Sequence, residues 1–237
     1  MQVGEFLYEG KAKQVFATDN DQAVLIKYKD DATAFDGQKK GTILNKGIVN
    51  NRVSNLLFKL LEKNGVETHL LEQIDERNTV VKKLQIIPVE VVVRNVIAGS
   101  LSQRVGIAEG AELADTIIEL YYKDDELHDP MINEYHARVL GWATPEQLKE
   151  MDRQAHKVNQ VLKEFFDSIN IILVDFKLEF GLYEGRVILG DEISPDTCRL
   201  WDKVSLEKLD KDRFRRDMGK EVEAYQEVVH RIEAVLS

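Results

Sequence analysis

Charged side chains occupy every second position of an otherwise apolar run near residue 175. In "LVDFKLEFG" they are Asp175, Lys177 and Glu179, and a second acidic segment, "GDEISPDTCRLWD", begins nine residues after the first one ends. Because side chains alternate between the two faces of a strand, the three charged groups share one face and the apolar groups share the other. Burying charge is costly unless the charge is paired or bound to a metal, so this face must be compensated.

A hairpin that turns near Glu184 would bring Asp191 roughly opposite Lys177 and close to Glu179. Two carboxylates from adjacent strands would then converge beside a lysine. Hard oxygen ligands of this kind suit Mg²⁺, which keeps several waters and bridges phosphates. The alternative is an exposed sheet face with a Lys–Glu cross-strand pair. These residues alone leave both interpretations open.

A second candidate phosphate-binding segment lies at the N-terminus. In "YEGKAK", Gly10 precedes Lys11 and Lys13 between two apparent strands, so backbone N–H groups and ammonium charge could cover a polyphosphate. The sequence contains neither a Walker A loop nor G-x-G-x-x-G. The alternative is an ordinary hairpin turn, but together with the paired carboxylates the segment is consistent with a Mg·nucleotide site.

Two arginines interrupt apolar or turn-rich segments. Arg94 stands within the β-branched run "IIPVEVVVRNVIAGS", and Arg199 follows "SPDT". A guanidinium in such a run needs an anion, and the phosphate or carboxylate of a ligand fits its fork geometry. The alternative for Arg94 is a buried pair with Glu90, four residues earlier.

Composition excludes several classes of protein. The 237 residues include 32 basic and 42 acidic side chains, for a net charge of −10, and we therefore expect no nucleic-acid partner. The longest apolar runs are too short to span a membrane, and the N-terminus lacks the features of a signal peptide. Cys198 is the single cysteine, so we expect a cytoplasmic location.

The hydrophobic pattern predicts an α+β fold. Strands are expected in the first thirty residues, around "ETHLLEQI" and "NTVVKKLQ", through "PVEVVVRNVIAG", and as a hairpin turning at "YEG" after residue 182. Helical spacing predicts a helix from Thr42 to Asn64, one that follows the Thr144–Pro145 cap, and one at the C-terminus. A boundary near residues 82–88 predicts an N-terminal sheet domain, 1–84, and a larger domain, 85–237.

Five segments of the sequence resemble the motifs of the SAICAR synthetase family. Three are long, namely "IIPVEVVVRNVIAGS", "LVDFKLEFG" and "LGDEISPDTCRLW", and the other two are "LYEGKAKQVF" and "KDDATAFDG". The resemblance covers essentially the whole chain. It implies a purine-biosynthesis ligase that joins carboxyaminoimidazole ribonucleotide (CAIR) to L-aspartate and releases ADP and phosphate from ATP, through an acyl phosphate. It also implies a smaller N-terminal sheet domain and a larger α+β domain, with ATP in the cleft between them.

The resemblance also implies residue roles. The ATP site would be formed by Lys11, Lys13, the backbone around Lys82, and Glu179 and Asp191 as ligands of Mg²⁺. The CAIR site would be formed by Arg94, Ser100, Asp175, Lys177 and Arg199, with Asp175 and Lys177 as the catalytic residues and Asp36 and Glu90 as further candidates.

Other functions stay open at this point. A kinase-like phosphotransferase would not need aspartate, and a non-catalytic nucleotide-binding module would bind ATP without turnover. The layout is also similar to that of protein kinases, an analogy at the level of fold only. The oligomeric state is open, with a homo-oligomer as one candidate.

Overall fold

In the part of the chain that the structure describes, the strands form two large antiparallel sheets and one small one. The computed structural model describes residues 3–34 and 37–236. In chain order the strands are β1 (Val3–Glu9), β2 (Lys13–Thr18), β3 (Ala23–Tyr28), β4 (Asp31–Ala34), β5 (Lys39–Thr42), β6 (Leu70–Gln73), β7 (Asn78–Lys82), β8 (Gln85–Val96), β9 (Glu112–Tyr122), β10 (Met131–Ile132), β11 (Ile171–Tyr183), β12 (Arg186–Leu189) and β13 (Cys198–Asp202).

Helices are interspersed among these strands, and the combination gives the α+β class that the sequence predicts. They are α1 (Lys46–Lys63), α2 (Gly99–Val105), α3 (Glu134–Val139), α4 (Pro145–Ser168), α5 (Asp212–Arg215) and α6 (Glu221–Leu236). In the described part of the chain, no helix is long and apolar enough to cross a membrane.

Strand order separates an N-terminal sheet from a central one. The N-terminal sheet runs β1-β2-β3-β7-β6, and the central sheet runs β10-β9-β8-β11-β12. Strand β13 also pairs with β11, alongside its N-terminal half, while β12 pairs with its C-terminal half. The long strands β8 and β11 therefore lie in the middle of the central sheet.

The main hydrophobic core lies between the central sheet and helices α1, α4 and α6. It includes Val91 of β8, Phe176 of β11, Leu57 of α1, Leu162 of α4 and Val228 of α6. Helix α4 contributes the apolar positions that its spacing predicts. A separate small hydrophobic cluster is formed by residues of the N-terminal sheet.

Two residues, Lys83 and Leu84, connect the two large sheets between β7 and β8. The Leu84 side chain packs against Gly181 and Gly190, so closely that a Cβ atom on either glycine would overlap it. The predicted connector is therefore held against the β11–β12 hairpin. The division into domains 1–84 and 85–237 stays a prediction, and α1 shares its core with β8 and β11.

The sequence predicted some helix ends correctly and one incorrectly. Gly65, which directly follows the predicted last helical residue Asn64, has the positive φ that is common just past the end of a helix. The predicted start at Thr42 is wrong, because residues up to Thr42 pair as β5 and the helix begins at Lys46. Thr144 caps α4 as predicted, since its hydroxyl accepts from the Gln147 N–H and the Gln147 side chain accepts from the Thr144 N–H.

This capping box gives a stability prediction. Thr144→Ala removes the acceptor for the Gln147 N–H and should lower the free energy of unfolding by about 1 kcal/mol. Urea denaturation followed by circular dichroism measures it. Thr144→Ser, which keeps the hydroxyl, is the control, and an equal loss in both variants would show that the cap contributes nothing.

Candidate active site

Strand β11 carries core residues on one face and charged residues on the other. The even-numbered side chains from Phe176 to Phe180 are buried in the main core. Asp175, Lys177 and Glu179 lie on the opposite face, as the alternation predicts. Asp175 and Glu179 are buried nevertheless, at 3% and 9% exposure, so their charges require partners within the protein or in a ligand.

Five of the predicted site residues meet at the middle of β11, and we call them the central cluster. Lys177 Nζ lies 2.9 Å from Glu90 Oε2 and 3.1 Å from Glu179 Oε1. Lys13, at the start of β2, forms an ion pair with Asp191, which follows β12. The central cluster therefore joins the N-terminal sheet to the central sheet.

The protonation states of the central cluster follow from its opposite charges. Burial alone would lower the pKa of Lys177, but Glu179, Glu90 and Asp191 outweigh burial and hold that pKa well above its usual value. Burial would likewise raise the pKa of Asp191, but Lys13 and Lys177 hold it below its usual range. Lys177 is therefore a fixed cation near neutral pH and is poorly suited to act as a general base.

Two further side chains join the central cluster, and the sequence interpretation missed both. Lys123 Nζ lies 2.5 Å from Glu179 Oε1, and Glu192 Oε1 lies 3.1 Å from Lys13 Nζ. Lys123 directly follows β9, whose run "TIIELYY" is rich in β-branched and aromatic residues. That composition was the available signal for a strand here.

Glu179 and Asp191 present hard carboxylate oxygens at the central cluster. Within residues 3–34 and 37–236, no three His, Cys, Asp or Glu side chains are placed to hold a metal ion together. Mg²⁺ commonly takes one or two protein carboxylates and completes its shell with water and phosphate oxygens. The pair therefore fits a Mg²⁺ that binds together with a nucleotide.

Asp175 lies between two arginines on neighbouring strands. In the sheet register it is directly opposite Arg94 of β8 on one side and Arg199 of β13 on the other. Its Oδ2 accepts from Arg94 Nη1 at 2.9 Å and from Arg199 Nη1 at 2.9 Å. One carboxylate thus holds both guanidiniums side by side.

The remaining contacts of Arg94 exclude the predicted alternative partner. Arg94 Nε donates to Glu119 Oε2 at 2.7 Å, and its Nη2 donates to Ser100 Oγ at 3.1 Å. Glu90 pairs with Lys177 instead. The interpretation of Arg94 as a partner of Glu90 is therefore wrong, because the neighbouring strands bring Glu119 and Asp175 to the guanidinium.

A second carboxylate fixes the other end of Arg199. Asp212, the first residue of α5, accepts from Arg199 Nε at 3.1 Å and from Arg215 Nη1 at 2.6 Å. Burial would raise the pKa of Asp212, but these two arginines outweigh it and lower the pKa to about 2. Gly99, with φ +53°, lies so close that a Cβ there would overlap the Arg199 guanidinium.

The β11–β12 hairpin turns at Glu184 and Gly185, both with positive φ, as "YEG" predicts. The Gly190 N–H still donates to Glu179 O, at 2.9 Å, and Asp191 then leaves the ladder with φ 55°. Asp191 is therefore not a ladder partner of Lys177, which differs from the predicted register. Its side chain nevertheless reaches the central cluster.

The tight turn between β1 and β2 directs its lysines toward the central sheet. The Gly10 N–H donates to Lys13 O at 2.8 Å. Lys11 Nζ lies 2.7 Å from Asp125 Oδ1, just beyond β9, and Lys13 pairs with Asp191. Both predicted phosphate-binding lysines therefore link the β1–β2 turn to segments that follow strands of the central sheet.

One other predicted residue, Lys82, lies apart from these groups. Lys82 Nζ contacts Glu67 Oε1 at 3.1 Å and Thr68 O at 3.0 Å, while its backbone N–H donates to His69 O. Asp36 lies outside the described residues.

Comparison with known proteins agrees with this architecture. The family model described as SAICAR synthetase matches residues 6–232. A phosphoribosylaminoimidazole-succinocarboxamide synthase of Desulfitobacterium hafniense (strain Y51) is 58% identical over 236 residues, covering 100% of this chain and 99% of the relative.

Two solved structures extend the similarity to the fold. The phosphoribosylaminoimidazole-succinocarboxamide synthase of Ehrlichia chaffeensis superposes with a TM-score of 0.95 at 46% identity, over 98% of this chain and 100% of that one. A SAICAR synthetase in complex with ADP superposes with a TM-score of 0.94 at 50% identity, over 98% and 99%. On the strength of both sequence and fold, this chain belongs to the SAICAR synthetase family.

Proposed function

We propose that this protein joins CAIR to L-aspartate with ATP and forms SAICAR, ADP and phosphate. Its relatives carry the corresponding synthase name, and one neighbour of the same fold holds ADP. The observation that carries the proposal is the charged face of β11. At Asp175 it meets two arginines suited to a phosphate, and at Glu179 it meets carboxylates and lysines suited to a Mg·nucleotide.

The arginine end of this face is the proposed CAIR site. Arg94, Ser100 and Arg199 would bind the phosphate of CAIR, because a guanidinium matches a phosphate in charge and in fork geometry. Asp175 would keep both arginines in position, and with Lys177 it would contact the rest of CAIR. Glu90 holds Lys177 from β8, and Asp36 stays a further candidate.

The other end is the proposed ATP site. Lys11 and Lys13 would lie along the phosphates, and the backbone around Lys82 would lie beside the adenine. Glu179 and Asp191 would hold Mg²⁺, which supplies neutralising charge to phosphate oxygens when it is bound. Lys13 and Lys177, both cationic, would bind and orient the transferred phosphoryl group.

The proposed reaction proceeds through an acyl phosphate. An oxygen of the CAIR carboxylate attacks the γ-phosphorus of ATP, and ADP leaves. The amine of L-aspartate then attacks the acyl carbon, and phosphate leaves with that oxygen. The chain need only position the reactants and neutralise charge, and no covalent intermediate with the protein is involved.

The reaction itself is tested by measuring ADP and phosphate release from ATP and CAIR, with and without L-aspartate. We expect release to depend on L-aspartate, and CAIR labelled with ¹⁸O in its carboxylate should transfer one ¹⁸O to phosphate. Release independent of aspartate would indicate a phosphotransferase, and ATP binding without any turnover would indicate a binding module. Phosphate without ¹⁸O would exclude the acyl phosphate.

The metal assignment predicts a loss of turnover in Glu179→Gln and Asp191→Asn. Removing one charge-stabilising group should cost about 3–4 kcal/mol in the transition state, a loss of about 10²- to 10³-fold in kcat. Titrating activity with Mg²⁺ measures it, and Glu184→Gln, in the exposed turn of the same hairpin, is the control. Near-normal turnover of both variants at ordinary Mg²⁺ would contradict the assignment.

The phosphate assignment is best tested at Arg199. Arg94 is almost fully buried against two carboxylates, so its removal would cost about 3–5 kcal/mol of stability whether or not CAIR binds there. Arg199 is more exposed. The Arg199→Lys substitution keeps the positive charge but removes the planar guanidinium that can donate two parallel hydrogen bonds to a phosphate. We expect CAIR binding to weaken by about 1.5–3 kcal/mol while ATP binding changes little.

Thermal melting with and without CAIR measures this loss, because a ligand that binds the folded state raises the midpoint. Arg186→Lys, at the exposed end of the β11–β12 hairpin, is the matched control. A wild-type stabilisation by CAIR in Arg199→Lys would argue against a phosphate contact at this residue.

A further inference from the structure

One buried amide on α1 lacks hydrogen-bond partners. Asn50 is 0% exposed, yet neither its Oδ1 nor its Nδ2 has a partner in the part of the chain that the structure describes. The adjacent Asn51 is buried to the same degree, but its Nδ2 donates to Asp75 O at 3.0 Å and its Oδ1 accepts from Thr79 Oγ1 at 2.6 Å. Native proteins leave few buried polar groups unpaired, so Asn50 requires a physical explanation.

The neighbours of Asn50 along the helix show which segment it faces. One turn before it, Lys46 Nζ lies 2.7 Å from Asp196 Oδ2. One turn after it, Ser54 Oγ accepts from the Ile193 N–H at 3.3 Å. Side chains four residues apart lie on the same face of a helix. Asn50 therefore faces the segment between Ile193 and Asp196.

The carboxylate of Glu192, directly before this segment, lies beside the same face of the helix. Glu192 is 4% exposed, and its Oε2 accepts from Ser194 Oγ at 2.7 Å, within the segment that Asn50 faces. Its Oε1 lies 3.1 Å from Lys13 Nζ. The charge of Glu192 is thus compensated by one lysine and one hydroxyl.

Lys13 is also the cation that the proposed ATP site needs. Burial alone would lower the pKa of Lys13, but Asp191 and Glu192 outweigh burial and hold that pKa well above its usual value. Once phosphates draw this ammonium group away, Glu192 would retain only the hydroxyl of Ser194. A buried carboxylate that loses its cation is strongly destabilising, so the nucleotide-bound state requires another donor for Glu192.

We propose that Asn50 is a positioning residue that replaces Lys13 as the partner of Glu192 when Mg·nucleotide binds. Its Nδ2 then donates to the Glu192 carboxylate and keeps the adjoining Asp191 in position, while Lys13 contacts the phosphates. This inference rests on the proposed function, through the assignment of Lys13 and Asp191 to the ATP site. The amide that is unpaired in the ligand-free protein is the donor that the bound state uses.

The test is isothermal titration calorimetry with Mg·ADP on Asn50→Leu and Asn50→Ala. Leucine has nearly the shape of asparagine without its donor, and alanine cannot clash. We expect the Kd of Mg·ADP to rise about tenfold or more in both variants, as for the loss of one hydrogen bond to a charged group. The melting temperature of ligand-free Asn50→Leu should stay the same or rise, because an unpaired buried amide is replaced by an apolar group.

Asn51→Ala is the matched control, because Asn51 is equally buried on the same helix but has its partners within the protein. We expect it to lower the melting temperature, since the Asp75 carbonyl and the Thr79 hydroxyl lose their partner, and to change the Kd of Mg·ADP by about twofold or less.

A double-mutant cycle with Glu192→Gln separates positioning from a general effect on the fold. Glu192→Gln removes the charge that needs the donor, so adding Asn50→Leu to it should change the Kd of Mg·ADP by about twofold or less. An equal loss of affinity in both backgrounds would overturn the proposal. Wild-type affinity of Asn50→Leu and Asn50→Ala would also overturn it, as would a lower melting temperature of ligand-free Asn50→Leu.

Failure of the proposed function would look different. Wild-type protein that binds Mg·ADP but releases ADP from ATP without requiring L-aspartate would contradict the proposed reaction and leave the role of Asn50 intact. Wild-type protein that does not bind Mg·ADP would contradict the proposed ATP site, and the role of Asn50 would fall with it.

Discussion

The pairing of Asp175 with two arginines is the interaction on which the rest of the candidate site depends. Asp175 occupies one position of the central strand, and the antiparallel register puts Arg94 and Arg199 directly opposite it on the two neighbouring strands. The hydrogen-bonded backbone of the three strands therefore fixes the positions from which the two arginine side chains extend, whichever rotamers they adopt. Two like charges can be held side by side here because one buried carboxylate lies between them.

Pairing of each buried charge with an opposite charge of the protein continues along β11. Each cation of the central cluster has a carboxylate within the protein, and the ends of the network are fixed by elements distant in sequence, β2 for Lys13 and α5 for Asp212. Substrate phosphates would exchange with these internal anions rather than enter a vacant cationic pocket. Binding energy would then reflect the difference between two sets of ion pairs, which is smaller than either set alone.

Sequence patterns within a few residues predicted the features of the structure that depend on neighbouring residues alone. The alternation around Lys177, the turn at Glu184 and the cap at Thr144 all follow from periodicity or backbone preference within a few residues. The partner of Arg94 was not predictable in this way, because it depends on the long-range pairing of β8 with β9, a strand whose composition signal the sequence interpretation did not use. The departure of Asp191 from the ladder and the approach of α5 to Arg199 are likewise set by long-range packing. The family resemblance supplied the overall architecture that local patterns left open.

Among the ion pairs of the turn between β1 and β2, those of Lys11 with Asp125 and of Lys13 with Asp191 differ greatly in exposure. The Lys11 and Asp125 side chains are 49% and 76% exposed, whereas those of Lys13 and Asp191 are 15% and 19% exposed. Dissolved salt weakens ion pairs between exposed side chains, and it screens buried pairs far less. Rising ionic strength should therefore weaken the Lys11–Asp125 pair more than the Lys13–Asp191 pair. The attachment of this turn to the segment after β9 would then vary with the surrounding electrolyte, whereas its attachment at Asp191 would not.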